Sequence, residues 1–88
     1  MWHRRTVMDI YGVRYVIDTS ELPMGKSGVY ETMIFRARKD GSIKDPNELF
    51  TKRYDSERSA EHGHEEVVRN AGAIIAAKLG ASVIECQS

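Results

Sequence analysis

The chain has 88 residues, of which 41% are hydrophobic and 30% charged, and thirteen Lys/Arg balance thirteen Asp/Glu. This is the composition of one soluble globular domain, 1–88, rather than of a disordered segment. A chain this short buries only about 60 to 65% of its unfolded surface, so its core is small and a partner subunit would help it. Zero net charge argues against a dedicated nucleic-acid binder and gives no reason to expect a membrane role.

The charge is unevenly placed, with ten Lys/Arg and seven Asp/Glu in residues 1–54 against three and six in residues 55–88. No apolar run approaches the roughly 18 residues of a membrane span, and the start, MWHRRTVMDI, lacks the apolar core of a signal peptide. The single Cys86 cannot close an internal disulfide, so a cytoplasmic setting is expected.

The first pattern, RRTVMDIYGVRYVIDT, alternates as extended chain: Val13, Tyr15 and Ile17 point one way, Arg14, Val16 and Asp18 the other. Gly12 marks a turn or a bulge in it. SELPMGKSG collects Pro23, Gly25 and Gly28 and reads as a loop. VYETMIFRAR is the clearest strand, with Val29, Glu31, Met33, Phe35 and Ala37 on one face and Tyr30, Thr32, Ile34, Arg36 and Arg38 on the other. A long hairpin loop built on Asp40-Gly41 and Asp45-Pro46 then leads to a short strand, ELFTKRY.

From Asp55 or Ser56 the period becomes helical, placing Ala60, His64, Val67, Val68, Ala71, Ile74 and Ile75 on one stripe. The expected helix ends at Leu79 with Gly80 as its terminating glycine, followed by a tail that frays or adds a strand. Strands first and one long helix last predict an α+β fold, a three- to four-stranded antiparallel sheet with the helix packed on one face. The face carrying Tyr30, Ile34 and Phe50 would then be open. That face, with an alanine-rich outer side of the helix (Ala73, Ala76, Ala77), suggests a homo-oligomer.

The stretch RYDSERSAEHGHEEVV places two histidines among glutamates, and helical geometry separates their roles. His62 and His64 differ by about 200° and cannot grip one metal together. The residue four after His64 is Val68, so the zinc signature with two histidines on one face is absent. His62 with Glu66, or Glu61 with His64, could each offer two ligands to a site completed elsewhere. His64, however, lies on the apolar stripe, where a neutral histidine hydrogen-bonded to a strand backbone or a tyrosine is expected.

Asp55 or Ser56 can cap the helix, Glu57 and Glu61 suit its positive end, and Glu65 is spaced to pair with Arg69. Gly63 reads as a point where the helix backbone comes close to the sheet. MGKSG at 24–28 fails as a phosphate loop, since Ser20 stands where the first glycine belongs and a strand follows. Arg36, Arg38, Lys52 and Arg53 are candidate nucleic-acid contacts on a basic sheet face beside Tyr30. No catalytic, metal-binding or cofactor residue is assigned, and no enzyme activity is expected.

Glu31, Thr32, Met33 and Phe35 on a strand, then Arg53 and Tyr54, then Ala60, Gly63 and His64 on a helix, form a recognisable order. This chain resembles, over roughly residues 29–68, small proteins of tailed bacteriophages and prophages in which a Glu-Thr-Met-x-Phe strand precedes Arg-Tyr and Ala-x-x-Gly-His. Ser59 stands where that pattern has an acidic residue. The group has no assigned activity, so the resemblance transfers no catalytic role. It implies a phage-derived accessory or virion-associated protein, in the host cytoplasm or the virion, acting through contacts with itself or with a phage or host partner.

Overall fold

The computed structural model describes residues 2–23 and 28–87, with side chains through Leu79. The middle of the predicted Pro/Gly loop, residues 24–27, and with it most of MGKSG, lies outside them. The elements are β1 (His3–Ile10), β2 (Val13–Glu21), β3 (Tyr30–Arg36), β4 (Phe50–Tyr54) and α1 (Glu57–Gln87). The four strands form one antiparallel sheet in chain order, with α1 packed against it. The fold is α+β, as the order of patterns predicts.

The first alternating stretch is two strands rather than one. Tyr11 and Gly12 both take positive φ, 52° and 78°, and form a two-residue turn that pairs Ile10 with Val13 and His3 with Ser20. Two left-handed residues match the right-handed twist of the strands they join. β3 pairs with both β2 and β4, as expected of the strongest strand pattern.

Cross-strand partners share a face, so the register fixes which side chains meet the helix. Ile17 pairs with Ile34, Ile34 with Phe50, and Thr19 with Thr32. With Ile10 and Tyr15 they face the stripe Val67, Ala71 and Ile75, and the apolar members form the core. This corrects the sequence reading, which left the face of Tyr30, Ile34 and Phe50 open. The face away from the helix carries Arg5 with Asp18 (2.7 Å), Arg14 with Asp9 (2.8 Å) and Arg53 with Glu31 (3.0 Å), and the long hairpin loop approaches it at Val7, beside the fully buried Val16. An apolar helix stripe could not cover those ion pairs without desolvating them, whereas the Tyr15, Ile17 and Ile34 side offers apolar groups and hydroxyls at its centre and keeps Arg4, Arg36 and Lys52 at its margins.

Ser56 is the helix cap: its Oγ accepts the Ser59 backbone N–H at 3.1 Å and its carbonyl accepts that of Ala60 at 3.0 Å. Glu65 reaches across to Arg4 of β1 at 3.4 Å instead of pairing with Arg69. The helix runs through Gly80 to Gln87 rather than stopping at Leu79. A glycine ends a helix only when the chain turns left-handed there, and no such turn interrupts α1.

Candidate functional site

The candidate site is the layer where the first half of α1 meets β1, β2, β3 and β4. Ala60 and His64 have no exposed surface, and Gly63 is buried beside them. The first half of α1 therefore turns Ala60, Gly63 and His64 inward, while His62 and Glu66 stay exposed. Among the described residues no three His, Cys, Asp or Glu side chains converge as metal ligands would.

Both imidazole nitrogens of His64 are taken by threonines. Nε2 lies 2.8 Å from Thr6 Oγ1 of β1, and Nδ1 lies 2.7 Å from Thr19 Oγ1 of β2. Thr19 Oγ1 in turn shares a hydrogen bond with Thr32 Oγ1 of β3, and Thr19 and Thr32 are fully buried. One histidine thus joins α1 to two strands directly and to a third through Thr19. The partners are threonine hydroxyls, not the backbone or tyrosine that sequence reasoning expected.

Hydroxyls can donate or accept, so the chain satisfies a neutral imidazole in either tautomer. Burial pushes the His64 pKa below its ordinary value, and the nearby Arg4 guanidinium adds to that; Asp18 and Glu65 oppose it. A buried imidazole beside a hydroxyl is also the arrangement of an activated nucleophile. Here, however, Thr19, Thr32 and His64 have no exposed surface from which a substrate could reach them. Chemistry at that hydroxyl would need the helix to lift from the sheet.

Tyr54, the last residue of β4, completes the layer. Its ring lies directly over Gly63, so close that a Cβ at position 63 would overlap Cε1, Cζ and Oη. The expected close approach of helix and sheet is therefore real, and the tyrosine occupies the space the glycine leaves. The Tyr54 hydroxyl is buried without a hydrogen-bond partner among the described residues. Lys52 sits with its Nζ over the same ring, 5.8 Å from its centroid.

Of the residues that carry the phage resemblance, Thr32, Tyr54, Ala60, Gly63 and His64 all fall in this layer, while Glu31 and Arg53 pair on the opposite face. Thr6 and Thr19 escaped the sequence reading. The available signal was the inward-facing series Val13, Tyr15, Ile17, Thr19, which turns polar opposite the inward-facing histidine.

The four candidate nucleic-acid contacts do not share a surface. Arg53 lies on the open face, held by Glu31; Lys52 lies on the helix side beside Tyr54. Arg38 donates to the Ile43 carbonyl at 2.7 Å inside the long hairpin loop, and Arg36 lines a cleft at the far end of α1. Tyr30, proposed as their stacking partner, is buried on the helix side, edge-on to Trp2 with ring centroids 5.9 Å apart.

Comparison with known proteins adds no relative. No protein-family model, curated protein or solved structure matches this chain.

Proposed function

We propose that this is a phage- or prophage-derived accessory or virion-associated protein that acts through protein–protein contacts and not by catalysis. The observation that carries this reading is the complete burial of His64 with both ring nitrogens engaged. Five of the residues behind the phage resemblance, Thr32, Tyr54, Ala60, Gly63 and His64, lie where α1 meets the sheet, so they read as the signature of a fold whose working parts lie on its surfaces. Support for surface action comes from the shape. α1 has 31 residues and, at about 1.5 Å per residue, outruns strands of at most nine. Its exposed side around and past the last core residue, Ile75, carries Ala73, Ala76, Ala77 and Leu79.

Mass spectrometry of purified phage particles beside infected-cell lysate tests the proposal. Recovery at fixed stoichiometry in particles, or co-purification from lysate with a defined phage or host protein, is the expected result. A turnover activity that survives purification and is abolished by Thr19→Val would overturn it.

A further inference from the structure

Where α1 passes the end of the sheet it leaves a cleft of about 360 Å³ against the β1–β2 hairpin and the long loop. Val13, Tyr15, Leu49 and Ile75 give it an apolar lining, extended outward by Leu79, which is 53% exposed. Three charged groups border it: Arg36, Lys78 and Asp45. Asp45 is turned to its own loop, accepting the Asn47 backbone N–H at 3.0 Å. Arg36 and Lys78 have no ion-pair or hydrogen-bond partner among the described residues. An apolar cleft bordered by two cations and one carboxylate is net positive and fits an aliphatic segment that carries a carboxylate.

The chain itself contains such a segment. After Lys78 the sequence is Leu-Gly-Ala-Ser-Val-Ile-Glu-Cys-Gln-Ser, three aliphatic residues of good size and a single charge, Glu85. It forms the end of α1, and a helix of about a dozen residues is marginal in water without a surface to pack on. We infer that the cleft of one copy receives the α1 tail of a second copy, the two tails running antiparallel about a two-fold axis. Deepening the protein-contact reading above, this identifies one partner as the chain itself.

Antiparallel pairing keeps the sum of facing positions constant, so setting Glu85 of one copy against Lys78 of the other puts the crossing between residues 81 and 82. The sequence there, Gly-Ala-Ser, is the smallest of the whole tail and permits close helix approach. The two-fold axis also makes each ion pair occur twice, which doubles the effect of any charge change. An interface this small sits at the weak end of the range, giving dimers in the micromolar regime.

Sedimentation equilibrium of the full-length chain from about 1 to about 200 µM, at low salt and in about 0.5 M NaCl, tests the inference. A salt-sensitive monomer–dimer equilibrium is expected. Lys78→Glu alone and Glu85→Lys alone should each weaken it at least about tenfold, and the double exchange should restore it to within about threefold. Circular dichroism confirms that each variant is folded. A chain that stays monomeric throughout, a dimer indifferent to the single reversals, or a double exchange that remains weak overturns the inference. Recovery of a monomeric chain in phage particles would overturn it while leaving the protein-contact reading intact.

Discussion

A single histidine couples the helix to the sheet, and its chemistry sets a pH dependence. Because burial holds native His64 below its ordinary pKa, the unfolded chain takes up the proton first as pH falls. The neutral-His64 contribution is fully present above about pH 6.5 and is lost as pH drops toward the native value, at no more than about 1.4 kcal/mol per unit. Replacing His64 with leucine keeps the apolar stripe continuous but strands the Thr6 and Thr19 hydroxyls, of which Thr19 retains Thr32. His64→Leu should therefore fold, about 1 to 2 kcal/mol less stable at pH 7.5. The gap should narrow at pH 5, where only the wild type has a buried imidazole to protonate. Urea denaturation of both proteins at the two pH values checks the sign; a gap that widens on acidification contradicts it.

Gly63 and Tyr54 form a second residue-scale lock. Alanine ordinarily gains about 1 kcal/mol over glycine inside a helix, yet here its Cβ would overlap the tyrosine ring. Gly63→Ala should cost about 1 to 3 kcal/mol net, because either the ring or the helix must move. Tyr54→Phe should be neutral or stabilising by up to about 1 kcal/mol, since it deletes a buried hydroxyl that has no partner among the described residues. Thermal melts of the two variants and their combination distinguish the cases: the ring blocks alanine in either background, so phenylalanine should not rescue position 63.

At the scale of elements, the helix was legible because its stripe, its Ser56 cap and its close-approach glycine are all local signals. The face it covers was not. Both faces of β3 carry large apolar residues, Tyr30 and Ile34 on one and Met33 and Phe35 on the other, so the strand's own sequence does not decide between them. The decision is made across strands, where Ile17 meets Ile34 while Asp18, Asp9 and Glu31 collect arginines. Registers depend on turns, and the Tyr11-Gly12 turn is hard to read because tyrosine is an unusual residue at positive φ. The same feature yields a prediction. Tyr11→Asn creates the Asn-Gly pair preferred in such turns and should raise stability by a few tenths to about 1 kcal/mol, since Tyr11 is 73% exposed and buries little. A lower melting temperature would mean that the ring's position near Gly72 of α1 matters more than the turn.

The whole molecule divides into a part that folds and a part that reaches. Among the described residues, every α1 member of the core cluster lies at or before Ile75. If folding and association are separable in this way, a chain ending at Leu79 should unfold within about 0.5 kcal/mol of the full-length protein when both are monomeric. At concentrations where the full-length chain is dimeric it should have the lower melting temperature, because only the full-length protein gains from mass action. The concentration dependence of the melting temperature is thus the discriminating measurement. A slope present in the full chain and absent after truncation assigns the tail to association. A large loss of stability in the dilute truncated chain would instead make the tail part of the fold, and the helix would outrun the sheet for reasons internal to one molecule.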